Sequence, residues 1–508
     1  MISKILRLLN TVKYLKFIQI YYRIFYFLRA KIRKITGFEY KLSKQSNALK
    51  LTLQDSIKGI SSFNGFEFEI LNLKHDFKGD IDWNFSDFGK LWTYNFNYFE
   101  FLDKKDDIWT IYDFIEKLPL VKDGLESFPI SLRGINWIKF LTKHYINDKK
   151  IDDSLYAQYY ILLENLEYHL LGNHLLENGF SLIFGGYYFK DTALKESGEK
   201  ILYKELDEQI LADGAHFELS PMYHQLMLFR LLDVINLVQN NSDNDKFLKF
   251  LREKAVLMLG YLKAITYKNG DIPMLNDSTS GVAPMSNELF LYAKNLGFDE
   301  IKPCELTSGY KKIDKGRYEC ILDITDVRAS YIAGHTHADT FGFEIYIDSK
   351  PFIVDCGIST YENNTRRTYE KSTISHNTVE INSHSSSEVW GSFRLADRAR
   401  VVDSKIGDDF ISATHNGYKK FGVLHTRSWE FTEQKIVIKD SLSKSIKAIS
   451  RLHFHPNVAK DEIGKFVDLK DKDCQIKEYE YALGYNKLQS AFVLEIYFTK
   501  ELEVEIAV

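Results

Sequence analysis

Residues 341–355 read Phe341-Gly342-Phe343-Glu344-Ile345-Tyr346-Ile347-Asp348-Ser349-Lys350-Pro351-Phe352-Ile353-Val354-Asp355. Phe341, Phe343, Ile345 and Ile347 alternate with other residues, the period of a strand whose successive side chains face opposite ways. Asp348 to Pro351 is turn chemistry, and Phe352 to Asp355 reads as the return strand. More strand-like runs follow at 400–402, 426–431, 435–438, 449–455 and 492–498. Upstream the text changes character. Ile111, Phe114, Ile115 and Leu118 recur at helical spacing, as do Leu132, Ile135, Trp137, Ile138 and Leu141. Further helices are expected over 155–171 (ended by Gly172), 174–189, 193–211, 222–238 and 246–265, separated by Gly and Asn/Asp clusters.

Many helices followed by many strands make an α+β multidomain chain, with antiparallel helix pairs in a bundle or toroid and then an antiparallel β-sandwich. The switch falls near 301–312, so the expected division is 1–60, 61–305 and 306–508. The 508 residues suit two large domains or three of ordinary size, at roughly 150 residues each. Apolar residues at 45% and charged residues at 27% exclude a collagenous or wholly disordered chain. A net charge of −4 lacks the basic excess of a dedicated nucleic-acid binder, so none is expected as a partner. The abundant aromatics suit either core packing or a sugar-stacking groove. Cys304, Cys320, Cys356 and Cys474 form no C-x-x-C pair and no disulfide framework.

Residues 1–34 carry Lys4, Arg7, Lys13, Lys16, Arg23, Arg29, Lys31, Arg33 and Lys34 and no acidic residue, interleaved with apolar side chains. No uncharged stretch approaches the roughly 18 residues of a membrane span. No apolar core leads to a small-residue cleavage site, so no standard signal peptide is expected. Two readings stand side by side. One is a basic amphipathic helix resting on an anionic membrane surface. The other is a helix packed on the first domain with its cations in solvent. The expected location is the cytoplasm or the inner membrane face, with the periplasm left open.

Polar residues gather at four places inside apolar text. The first is 132–137, with Arg133 and Trp137; the second is 172–178, with Asn173 and His174. The third is 213–224, with Tyr223 and His224 after a Ser220-Pro221 helix start. The fourth joins His335 and His337 to Asp355 and His376. Each also has an ordinary structural reading: a helix cap, a buried histidine, a turn, a solvated arginine. Imidazole and carboxylate are suitable zinc ligands, so His337, Asp355 and His376 form a candidate metal set. A straight hairpin would leave His337 roughly 24 Å from Asp355 at about 3.4 Å per residue. The set therefore requires 334–338 to fold back, or ligands from different strands.

Read together and in order, GNHLLENG (172–179), DGAHFELSPMYHQ (213–225), GHTHADTFGFEIY (334–346) and STISHNTVE (372–380) resemble the heparinase II/III-like family of polysaccharide lyases. The resemblance covers about 90–394. It implies an (α/α) toroid followed by an antiparallel β-sandwich, with the active site between them. It implies that Asn173 and His174 hold a uronate carboxylate, and that Tyr223 and His335 are the proton-transfer pair. It also implies one structural zinc on His337, Asp355 and His376. Arg133, Trp137, His224 and Arg367 are carried as candidate substrate-binding residues.

The implied chemistry is β-elimination on an acidic polysaccharide. A base takes the uronate C5 proton, donors hold the charge that develops on the carboxylate, and an acid protonates the departing O4. Tyr223 suits such work if its phenol pKa is lowered. No pair of carboxylates is needed, unlike a glycosidase. Two further readings stay open: a uronate C5-epimerase of capsule or exopolysaccharide biosynthesis, and a non-catalytic glycan-binding relative.

Overall fold

The computed structural model describes residues 2–40, 48–242, 245–327, 329–470 and 472–508. Met1, the Lys4 side chain and residues 41–47 of the expected N-terminal segment lie outside the described residues. The chain opens with helices α1 (Ile2–Val12) and α2 (Phe17–Thr36). A small antiparallel sheet follows, of β1 (Ser62–Asn64), β2 (Glu67–Ile70) and β3 (Leu73–Asp76). It lies inside the stretch expected to be all helix. Its strands are three or four residues long, too short to show an alternation in the sequence. Phe68 and Ile70 anchor it in the helical core.

The helical body runs through α3 (Lys90–Phe96), α4 (Ile108–Lys117), α5 (Ser127–Lys143), α6 (Lys149–Glu164), α7 (Gly172–Tyr188), α8 (Thr192–Gln209), α9 (Pro221–Asn241), α10 (Asp245–Ile265) and α11 (Ser286–Asn295). Every residue of α7 except His174 is buried, which marks it as an inner helix. It packs on α5, α8 and α9, while α6 pairs with α5 and α10 with α9. This is the (α/α) toroid. The helix expected over 155–171 stops at Glu164. The reason lies in α2: Arg29 takes the carbonyl of Glu164, Tyr26 that of Leu166, Arg23 that of His169 and Gln19 that of Leu170. The loop's outward carbonyls are satisfied by another helix, so no further helical turn is required.

The β-domain contains β4 (Tyr310–Asp314), β5 (Tyr318–Asp323), β6 (Phe343–Ile347), β7 (Lys350–Ile353), β8 (Val379–Ile381), β9 (Val401–Ile406), β10 (Phe410–His415), β11 (His425–Phe431), β12 (Lys435–Leu442), β13 (Ala448–His453), β14 (Val467–Asp468), β15 (Cys474–Gly484), β16 (Lys487–Phe498) and β17 (Glu501–Ala507). A six-stranded sheet, β14-β17-β12-β11-β10-β9, shares one core with the four-stranded sheets β4-β5-β6-β7 and β15-β16-β13-β8. The expected hairpin is present, but it turns at Asp348 and Ser349, both at positive φ, one residue earlier than symmetry about Ser349–Lys350 requires. A bulge between Ile345 and Tyr346 restores part of the offset.

A third core joins the two domains, formed by Ala215, Leu219, Tyr261, Ile265, Tyr267 and Leu275 against Tyr310, Ile321 and Tyr346. The rings of Tyr267 and Tyr346 stack at 3.8 Å. Each fully buried side chain of this size contributes roughly 1.5–3 kcal/mol, so the contact fixes the domains in one arrangement.

Inside the sandwich, Arg427 donates from Nε and Nη2 to both carboxylate oxygens of Asp440, at 2.7 and 2.8 Å. Its Nη1 reaches the carbonyls of Phe341 and Asn377, next to the loops that carry the site. Burial alone would raise the Asp440 carboxyl, but Arg427 beside it holds it well below the usual range. Asp440→Asn leaves Arg427 buried and unpaired, with an expected loss of roughly 3–5 kcal/mol in urea unfolding. The folded-state pKa is depressed, so this stability is present above the ordinary carboxylate value. It is lost as pH falls toward the lower folded value, and the gap between wild type and variant should narrow below about pH 4.

Candidate active site

Asn173 stands in the first turn of α7. The turn before it is unusual, because Leu171 and Gly172 both have positive φ, 63° and 59°. A Cβ at position 172 would come within 2.7 Å of Ile332 Cδ1 and 3.2 Å of Glu218 Oε1. Glycine therefore lets two other loops close over the start of α7. His174 donates from Nδ1 to Glu167 Oε1 at 3.0 Å, and Glu167 Oε2 accepts from Asn178 Nδ2 at 2.9 Å. Burial alone would lower the His174 pKa, but the Glu167 carboxylate raises it.

The loop 211–219 supplies the central residue. Gly214, at φ 88°, passes so close to the Leu257 carbonyl that a Cβ would sit 2.0 Å from its oxygen. Leu219, also at positive φ, has its carbonyl held by Asn276 Nδ2 at 3.0 Å and by the Tyr310 hydroxyl at 2.5 Å. The Glu218 carboxylate then reaches both domains. Its Oε1 accepts from Asn173 Nδ2 at 2.9 Å and from the Asn173 backbone N–H at 3.3 Å. Its Oε2 accepts from His335 Nδ1. Burial alone would raise Glu218, but the histidine beside it pulls the carboxyl down to about 2, so it stays ionised at any ordinary pH.

These contacts assign protons. A carboxylate only accepts, so the His335 proton is on Nδ1 and the lone pair of the neutral ring is on Nε2. Asn173 Nδ2 must likewise face Glu218, and it keeps a second N–H for a ligand. Tyr223, capped into α9 by Ser220 Oγ, stacks on His335 with ring centres 4.0 Å apart. Its hydroxyl lies 3.1 Å from that of Tyr361. Burial pushes the Tyr223 phenol well up, so the condition of a lowered pKa is not met and at rest it is a neutral hydroxyl. Asn173, Tyr223 and His335 are thus brought together, with His174 next in the chain.

The four expected substrate-binding residues are buried; only Arg367 borders the cluster, stacked over the Tyr361 ring. Arg133 is fully buried, donating to Gln158 Oε1 at 2.7 Å and to the Asn97 carbonyl at 3.0 Å. Trp137 is buried between Phe99 and Phe114. His224 is buried, with Nε2 donating to the Met258 carbonyl and Nδ1 accepting from the His216 N–H. Arg367 is 1% exposed and forms a two-pronged pair with Asp277, at 2.6 and 2.7 Å. All four side chains are buried and present no surface to a ligand in this arrangement.

Sequence reasoning passed over Glu218, Asp277, Tyr361 and Lys371. Glu218 lies inside the motif at 213–225, so its signal is present in the sequence. Lys371 is buried and donates to the Gly334 carbonyl at 2.5 Å, bracing the residue before His335. Burial pushes its ammonium down to about 7.

The proposed metal ligands lie close together without converging. Segment 334–338 does fold back, and the rings of His337 and His376 lie 5.2 Å apart. His376 donates from Nδ1 to Asp355 Oδ2 at 2.7 Å, whereas His337 donates from Nε2 to Asp277 Oδ1 at 2.6 Å. Among the described residues, no three His, Cys, Asp or Glu side chains are arranged to enclose a metal ion. His337 Nδ1, His376 Nε2 and Asp339 Oδ2 are nevertheless buried without a hydrogen-bond partner. Such orphans are uncommon in native interiors unless a water or ion satisfies them.

A cavity of about 570 Å³ opens elsewhere, under residues 50–59 and beside Glu100, Asn136, Lys139, Arg230 and Asp233. None of these belongs to the cluster. Lys139 is paired with Asp233 and Arg230 with Glu177.

Fold and site together define a toroid–sandwich protein with a polar cluster at the domain junction. Residues 136–296 match the family model described as heparinase II/III N-terminus, and residues 306–492 match heparinase II/III-like, C-terminal. The chain belongs to the heparinase II/III-like family. A heparin-sulfate lyase of Bacteroides stercoris is 23% identical over 316 residues, 56% of this chain and 46% of its own. A heparin-sulfate lyase of Pedobacter heparinus is 22% identical over 295 residues, 52% of this chain and 43% of its own. The matches thus span a little under half of those relatives. A crystal structure of heparinase III superposes with a TM-score of 0.69 at 16% identity, covering 85% of this chain and 80% of that one. A heparan sulfate lyase structure from Pedobacter heparinus gives 0.54 at 15%, covering 87% and 81%. At these identities the superpositions carry the fold.

Proposed function

We propose that this protein is a polysaccharide lyase that cleaves a uronate-containing polymer by β-elimination. The observation that carries the reading is the shared carboxylate of Glu218, which orients Asn173 from the toroid and His335 from the β-domain toward one place. The second Asn173 N–H and His174 hold the uronate carboxylate as charge builds on it. His335 Nε2 takes the C5 proton. The C5–H electrons form the C4=C5 double bond, the C4–O4 bond breaks, and the Tyr223 hydroxyl protonates O4. A neutral phenol at rest suits that donor role. The two curated relatives, both heparin-sulfate lyases by name, support the reaction class; the polymer is left to the test. Incubation with a panel of uronate polymers should yield shorter chains bearing an ultraviolet-absorbing unsaturated end. Unchanged chain length with solvent deuterium at C5 would instead identify an epimerase.

One structural zinc belongs to the same proposal, on His337, Asp355 and His376. The unpaired Nδ1 of His337 and Nε2 of His376 support it, and ligation by Asp355 requires its hydrogen bond with His376 Nδ1 to open. The ion's charge would tie segment 334–339 to 372–378 at the domain junction. Protein purified without chelator should contain about one zinc per chain, and removing it should lower the melting temperature. Metal-free protein with unchanged melting would remove the zinc from the account and leave the cluster intact.

A further inference from the structure

The two N-terminal helices satisfy one of their expected roles and leave the other visible. Along α2, Gln19, Arg23, Tyr26 and Arg29 face the toroid loop 164–170, whose carbonyls they take. The opposite side is a different surface. Phe17, Tyr21, Ile24, Phe25, Leu28, Ile32 and Ile35 follow the spacing i, i+4, i+7, i+8, i+11, i+15, i+18, one stripe of a helix about 30 Å long. All are exposed, Phe17 by 81% and Ile35 by 84%. In α1, Ile5, Leu6, Leu8, Leu9 and Val12 are exposed as well. Scattered exposed apolar residues are ordinary, but a continuous stripe of this length marks a docking surface.

The charge pattern names the occupant. Lys31 borders the stripe on the helical wheel, Lys34 lies further round on the same flank, and Lys13 lies in the turn between the helices. None of the three has a carboxylate partner among the described residues, and residues 1–34 contain no acidic side chain. Arg7, Lys16 and Arg33, by contrast, are spent on Glu388, Glu208 and Glu164. Free cations beside a broad apolar stripe fit the interface of an anionic bilayer, with rings and aliphatic chains below the headgroups and ammonium groups at the phosphates. Among the described residues no helix is long and apolar enough to cross a membrane.

We infer that α1 and α2 form a docking face for an anionic lipid surface. The same helices touch the catalytic neighbourhood: Gln19 donates to the carbonyls of Leu170 and, at 3.5 Å, of Tyr331. The loop under α2 carries Glu167, the partner of His174. Docking therefore holds the cluster next to the bilayer, where glycan attached to or assembled at a membrane is concentrated.

The test is flotation of the full chain with vesicles of phosphatidylcholine alone or with one-quarter phosphatidylglycerol, beside light scattering without lipid. Wild type should float only with the anionic vesicles and be released by high salt. Lys31→Glu with Lys34→Glu should weaken binding about tenfold or more, at roughly 1 kcal/mol per basic residue near the surface. Ile24→Glu with Leu28→Glu should abolish it with melting behaviour unchanged, since neither side chain touches the toroid side. Wild type that ignores anionic vesicles, or that self-associates through this face so that Ile24→Glu/Leu28→Glu turns a dimer into a monomer, overturns the inference.

Discussion

Tyr223→Phe should bind substrate almost as the wild type does and lose about 10²–10⁴-fold in turnover, the contribution of one positioned acid or base. The change removes a hydroxyl and little volume. The ring remains on His335, whose stacking at 4.0 Å does not involve the oxygen. Only the Tyr361 hydroxyl loses a partner. A binding measurement on the variant, set beside its turnover, separates this outcome from collapse of the site. Comparable losses in both would mean that Tyr223 is structural. Near-normal turnover would mean that another group protonates the leaving oxygen.

Glu218→Gln should cost nearly as much, by a different route. Glu218 is a positioning residue, since its contacts are to Asn173 and His335. A glutamine keeps the shape but offers an NH₂ where both partners require an acceptor. It can satisfy Asn173 or His335, not both. Turnover should fall about 10²–10³-fold, the loss seen when one oxyanion donor is removed. Asn173→Ala and Glu218→Gln should be far from additive, because both act on the same amide. A split between substrate affinity and turnover offers a readout that simple destabilisation would not give. A Glu218 carboxyl near 2 keeps its charge through the working range, so the variant removes a charge that the wild type always carries. Affinity should change less than turnover. Equal losses in both, with full additivity, would make Glu218 a packing residue.

The architecture was legible because it is written in local periodicity. The helices of the toroid and the strands of the sandwich appear where the 3.6 and 2.0 periods appear, and Ser220-Pro221 does start α9. The shift of the hairpin turn to Asp348–Ser349 is a matter of one residue. What escaped depends on partners far apart in the chain. Glu218 matters through Asn173 and His335, 45 and 117 residues away. Arg133 and Arg367 look like groove residues until Gln158 and Asp277 are found beside them. The end of α6 is decided by a helix more than a hundred residues earlier in the chain, because α2 takes the carbonyls that follow it. The amphipathic N-terminus reads as membrane-facing or packed, and the structure shows α2 packed on the toroid loop by one face with an exposed apolar stripe on the other.

The most direct test of the proposed chemistry is the rate of appearance of the unsaturated product from a uronate oligomer carrying deuterium at C5, compared with its unlabelled form. C5 proton abstraction by His335 with O4 departure predicts a slower reaction for the labelled oligomer and a product that has lost the deuterium. Cleavage at equal rates that keeps the deuterium and leaves a saturated end would contradict the account.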